Sequence, residues 1–148
     1  MKRLLVAALI LLATSTPTVA LSSAGAMLAR LGLGTVGGLA GSVVAIAVVA
    51  EAAPRTESRP GSVAVVVGSL TVYGGLGGSF GVLAAASLFE IQGNVRRCLL
   101  GGLAGGLASA FTEPILYTIG VRPAFAEGLG FLMLPILPAV GATLGHTS

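Results

Sequence analysis

Gly34–Gly41 reads GTVGGLAG, Gly74–Gly81 reads GGLGGSFG and Gly102–Ser109 reads GLAGGLAS. All three octads have one form, small-x-x-Gly-Gly-x-x-small, and each is set in an apolar run. At about 100° per residue, the four small positions of an octad fall on one helical stripe about 100° wide. These positions are Gly34, Gly37, Gly38 and Gly41 in the first copy, Gly74, Gly77, Gly78 and Gly81 in the second, and Gly102, Gly105, Gly106 and Ser109 in the third. A stripe without bulk lets two backbones approach, and small-xxx-small patterns pack helices in lipid. The octads therefore predict an all-α fold, an integral membrane bundle of about four helices with glycine-rich packing faces.

Composition points to the same solvent. The chain has 148 residues, of which 55% are hydrophobic and 9% charged, and its mean hydropathy is +1.01. Soluble domains carry about 25% charged residues, so this chain has too few polar groups to cover a water-facing surface. It has no Asp, and its eight basic residues form no stripe of the kind that neutralises nucleic-acid phosphates. The arginines mostly flank apolar runs, where side chains reach lipid headgroups. Cys98 is the only cysteine, which excludes an intrachain disulfide and a multi-cysteine metal site. It reads as a small apolar residue at a helix start.

Outward from the octads, the apolar runs delimit four segments. Leu31–Ala50 lies between Arg30 and Glu51, and a loop with Pro54 and Pro60 follows. Gly61–Phe89 has no charge for twenty-nine residues; as a helix it would be about 44 Å long, against a hydrocarbon core of about 30 Å. A bend is expected within Gly74–Gly81. Cys98–Val121 carries Glu113-Pro114 past its midpoint. Ala124–Gly145 holds Pro135 and Pro138, which predict a kinked or partly unwound helix covered by its neighbours. Short connections favour antiparallel neighbours, hence two helical hairpins. A transmembrane β-barrel would need alternation of apolar and polar residues, whereas Val43–Ala47 and Val63–Val67 are apolar throughout. Orientation does not follow from arginine bias, because the two sets of loops carry three arginines each (Arg55, Arg59 and Arg122; Arg30, Arg96 and Arg97).

Met1–Ala20, MKRLLVAALILLATSTPTVA, has a basic start, a ten-residue apolar core and small residues at candidate cleavage positions. This is the layout of a secretory signal. Residues 1–26 are read as a signal peptide cleaved after Ala20 or Ala26, leaving residues 27–148 as a single polytopic membrane domain. The layout is bacterial in style, which places the expected location in the cell envelope.

Several motifs resemble catalytic or binding signatures. Gly32–Gly37 matches G-x-G-x-x-G, but a dinucleotide site needs a strand before it and a βαβ unit around it. Gly77–Gly81 matches G-x-S-x-G around Ser79, yet a serine hydrolase needs a histidine base and an orienting acid. His146 is the only histidine and is read as a polar residue of a frayed C-terminal tail. No catalytic, cofactor-binding or metal-ligating set is expected, and no cofactor.

Glu113 stands apart. Eleven residues from the start of each octad lie Ala45, Ala85 and Glu113. Eleven steps of about 100° return to within about 20° of the starting direction. Glu113 is thus expected on the small-residue face, and ionisable residues inside membrane segments are functional by default. The alternative is a helix that ends near Ala110, with Glu113 in an interfacial cap. Glu51, Glu90 and Glu127 are read as interfacial ends. The expected function is that of a non-enzymatic multi-pass membrane protein acting through glycine-mediated helix packing or assembly. Its surroundings are the lipid bilayer, identical copies are candidate partners, and nucleic acid is not one. The alternative is conduction or transport of a proton or small cation through Glu113.

Overall fold

The computed structural model describes residues 23–52 and 59–148. Every element among them is helical. They are α1 (Ser23–Ala52), α2 (Arg59–Ser69), a π-helical turn (Leu70–Gly74), α3 (Gly75–Leu88), α4 (Val95–Thr118) and α5 (Pro123–Thr147). The chain passes from α2 through the π turn into α3 without a break, so four helices among the described residues are long and apolar enough to cross a membrane. Most of the expected signal peptide lies outside the described residues, but Ala26 lies in the first turn of α1.

The sequence sets the helix ends locally. Asn94 caps α4, its side-chain oxygen accepting from the Arg97 N–H at 3.1 Å. Pro123 occupies the first turn of α5, where its missing N–H costs nothing. α3 and α4 both end in turns closed by a hydrogen bond spanning five residues: Ile91 N–H to the Ala86 carbonyl at 2.8 Å, and Val121 N–H to the Leu116 carbonyl at 3.0 Å. Each turn needs a left-handed residue. Gly120 supplies it after α4 with φ 81°, and Glu90 supplies it after α3 with φ 53°.

Around the bundle α1 packs on α3, α3 on α4, α4 on α5 and α5 on α1, all antiparallel, and α3 meets α5 across the middle. The interior is made of small residues. Ala45, Val82, Ala85, Cys98, Ala126, Ala139 and Ala142 are buried, while Leu28, Val43, Phe80, Leu100, Phe125 and Phe131 point outward and are exposed. Large apolar side chains outside and small ones inside suit hydrocarbon, where burial of apolar surface gives no drive between helices and backbone proximity matters more. Three buried serine hydroxyls donate to carbonyls inside the bundle, whereas those of Thr71 and Thr143 have no partner. Ser42 donates to the Gly38 carbonyl at 2.8 Å and Ser109 to the Gly106 carbonyl at 2.7 Å. Ser79 donates to the carbonyls of Gly75 and Cys98, at 2.9 and 3.2 Å, and so ties α3 to α4.

Three local expectations change. The irregularity of the second segment is the π turn at Leu70–Gly74, ahead of the expected bend, and the glycine-rich Gly75–Gly81 stays α-helical. α5 is not unwound at Pro135 and Pro138, and both prolines are buried against neighbours as expected. There Pro138 packs on Gly78 and Pro135 on Gly38. α4 also continues through Pro114 to Thr118 and does not stop near Ala110.

Candidate functional site

Each octad resolves into two interleaved rows of residues four apart, and the rows face different neighbours. In the first copy Gly37 and Gly41 face α3 and the π turn. A Cβ added to Gly37 would meet the Gly77 carbonyl oxygen, and one added to Gly41 the Tyr73 carbonyl oxygen. Gly38 faces α5, where an added Cβ would lie 2.6 Å from the Pro135 carbonyl oxygen, and Gly34 sits between helices, an added Cβ lying 2.8 Å from Val82 Cγ2 of α3 and 3.0 Å from Ala139 Cβ of α5. In the second copy Gly77 and Gly81 face α1 at the carbonyls of Gly37 and Leu33, and Gly78 faces Pro138. Gly74 has more room, with Ser42 Oγ and Pro138 Cγ at 3.8 and 3.9 Å.

In the third copy Gly102 faces Ser79 and Gly75, and Gly106 faces Thr71 at 2.6 Å. Gly105 faces the Leu137 carbonyl of α5, and Ser109 is buried. The structure also places glycines that the octads do not include. Gly101 and Gly141 each face the other's carbonyl oxygen, and Gly145 faces that of Arg97. Gly141-Ala142-Thr143-Leu144-Gly145 is itself G-x-x-x-G, a signal shorter than the octad and easily passed over.

Glu113 lies at one end of the bundle. Its octad equivalents Ala45 and Ala85 are fully buried, but Glu113 is exposed. It lines a groove of about 360 Å³ between α2, α4 and α5, with Val66, Leu70, Ser109, Glu127, Gly130 and Phe131 among its walls. The helix faces point as the eleven-residue count requires, but α2 stands off from α4 at this level and leaves the carboxyl open at the side. Its neighbour on α5 is Gly130. Glu127 joins it in the groove, and the Tyr117 hydroxyl donates to Glu127 Oε1 at 3.1 Å. Tyr117 is four residues after Glu113 on the same face of α4. Two carboxyls and one phenol thus converge where the sequence pointed to a single carboxyl.

The opposite end is closed. Arg30 is 6% exposed and His146 3%. Arg30 does not reach outward to headgroups. It turns inward and donates to the Gln92 carbonyl at 3.2 Å. His146 is not in a frayed tail, since α5 runs on to Thr147 and the His146 carbonyl accepts from the Asn94 N–H at 3.1 Å. The contact of Gly145 with the Arg97 backbone draws this end of α5 down onto the loop before α4. Beside His146 lies a shallow depression of the surface, lined by Leu83, Glu90, Gln92 and Val95. The G-x-G-x-x-G match lies wholly within α1. The Ser79 hydroxyl of the G-x-S-x-G match is engaged by two carbonyls.

Comparison of the chain with protein-family models, with curated proteins and with solved structures finds no match.

Proposed function

We propose that the protein is a non-enzymatic membrane component that acts by close helix packing and assembly, in a bacterial cell envelope, with the bilayer and identical copies as partners. The observation that carries this reading is the reciprocal approach of backbone to backbone at Gly37 with Gly77 and at Gly101 with Gly141. Contacts of this kind leave no room for a methyl group and turn the crossing into a shape-selective surface. The outer edge of the α1/α3 crossing supports assembly. It forms an apolar notch of about 390 Å³ lined by Gly37, Gly41, Val44, Tyr73, Leu76 and Phe80. The layout of residues 1–26 supports export.

The test compares Gly38→Leu and Gly78→Leu with Glu113→Gln. Leucine at either glycine is expected to abolish folding or association in detergent, measured by size-exclusion profile and circular dichroism. Glu113→Gln is expected to be nearly silent. Leucine variants with wild-type profiles sink the reading.

A second reading rests on the Glu113–Tyr117–Glu127 groove. There a proton or small cation is passed between two carboxyls, with the phenol holding Glu127 in place. Under it, Glu113→Gln abolishes pH-driven flux in liposomes while the fold survives. Equal flux in wild type and variant excludes it.

A further inference from the structure

We infer that the bundle sits with its closed end outside the cell and its other end inside, so that the Glu113–Tyr117–Glu127 groove opens to the cytoplasm. The inference rests on the export reading of residues 1–26 and goes beyond it, to which face of the membrane the groove serves.

Loops rich in Lys and Arg stay on the cytoplasmic side. By sequence the two sets of loops tie at three arginines each. The structure breaks that tie. Arg30 is the eighth residue of α1, is 6% exposed and donates to the Gln92 carbonyl at 3.2 Å. An arginine held inside the bundle belongs to neither surface. The closed end keeps Arg96 and Arg97, both exposed in the first turn of α4. The groove end keeps Arg55 and Arg59, which follow α1 and open α2, and Arg122, exposed between α4 and α5.

The signal layout is a second, independent indicator. A secretory signal holds its basic start on the cytoplasmic side and sends the residues after its apolar core across. Lys2 and Arg3 therefore lie on the side opposite Ser23, where α1 begins. The four spans among the described residues alternate from there, which brings Ala52, Arg59, Thr118 and Pro123 to the cytoplasmic face. Lys2, Arg3, Arg55, Arg59 and Arg122 then lie inside, against Arg96 and Arg97 outside. Placing Arg30 outside as well would not reverse the bias.

The groove reaches only one face. Glu113 is five residues before the end of α4 and Glu127 four after the start of α5, which puts both about 6–8 Å along the helix from that face. About 27 Å of α4 separates Glu113 from Val95 at the other face. Over that length α4 is packed against its neighbours, Gly105 on the Leu137 carbonyl, Gly102 on Ser79 and Gly101 on Gly141. A proton or cation that reaches the two carboxyls in this state comes from the cytoplasm.

The experiment uses the full chain expressed in a bacterium whose outer membrane has been made permeable. Cys98 is the only native thiol and is buried, so the unmodified chain is the blank. Single cysteines replace Val95 at the closed end or Ala124 at the groove end, both exposed. Each variant meets a membrane-impermeant maleimide before and after the cells are broken without detergent. Val95→Cys is expected to label before breakage, and Ala124→Cys only after it. Should either variant fail to fold, Ser148→Cys stands in for the first and Thr118→Cys for the second, since both positions are exposed at the same ends. The reverse pattern, or labelling of both before breakage, overturns the inference. Sequencing of the mature N-terminus tests the export reading separately. A reversed pattern on a chain that begins after Ala20 overturns the orientation alone, whereas labelling of neither site before breakage on a chain that keeps Met1 overturns both.

Discussion

The two ends of the bundle are built from the same helices and treat their ionisable groups in opposite ways. At one end Arg30 and His146 are enclosed, while at the other Glu113 and Glu127 lie open in a groove. α4 and α5 run through both. The difference lies in where glycines of the two helices coincide. At the closed end Gly101 faces Gly141 and Gly145 faces Arg97, so the backbones touch. At the open end Gly130 faces the Glu113 side chain at 3.0 Å, and Gly128 faces nothing within 4 Å. An ionisable side chain is therefore buried here by the register of neighbouring glycines, and its own polarity has little say in the matter.

The sharpest way to break this comparison is to add the same side chain at both ends. Leucine at Gly145 would drive into the Arg97 carbonyl, which belongs to helix backbone and cannot yield cheaply. The expected loss is about 3 kcal/mol or more. Leucine at Gly128 meets open space and is expected to be neutral, or to gain up to about 1 kcal/mol from helix propensity. Titration with sodium dodecyl sulfate, read by helical signal, measures both. Equal losses would mean that glycine register is not what separates the ends.

A smaller effect sharpens the contrast between the two turns. Gly93 and Gly120 stand at opposite ends, and both resist substitution for different reasons. An alanine methyl at Gly93 would press on the His146 ring and on the His146 carbonyl oxygen. At Gly120 there is open space, but φ is 81°. Gly93→Ala is expected to cost about 1–3 kcal/mol and Gly120→Ala about 1–2 kcal/mol. A double-mutant cycle with His146→Ala separates the causes. The cost at Gly93 should fall in part when the ring is gone, since the contact with the His146 carbonyl remains, while the cost at Gly120 should not change.

What could be read from the chain, and what could not, divides along the same line. The four spans follow from apolar runs separated by the Pro54–Pro60 stretch, Glu90 to Arg97 and Arg122-Pro123, although α1 begins at Ser23 and runs through Arg30. The direction of Glu113 follows from helical geometry, but its exposure depends on how far α2 stands from α4, which no local pattern encodes. The burial of Arg30 and His146 depends on two helices and a loop meeting at one register, 116 residues apart in sequence. A flanking arginine and a near-terminal histidine look alike whether they face lipid, water or protein. The π turn is also invisible locally, because Leu70–Gly74 has the composition of the α-helix around it.

The smallest effect bears on Glu90, which stands where Gly120 stands in the equivalent turn. Both turns close with the same five-residue hydrogen bond, and both need a left-handed residue. Gly120 adopts that conformation without a Cβ penalty, whereas Glu90 holds φ 53° against it. Glu90→Gly should therefore relieve backbone strain and raise stability by about 1 kcal/mol, measured as a shift in the thermal midpoint. A carboxylate that neutralised buried Arg30 would produce the opposite sign, since its removal would leave the guanidinium alone. The two causes act on one residue in opposite directions. The sign of the shift thus reports whether the Glu90 carboxylate or the Glu90 backbone governs the stability of this turn.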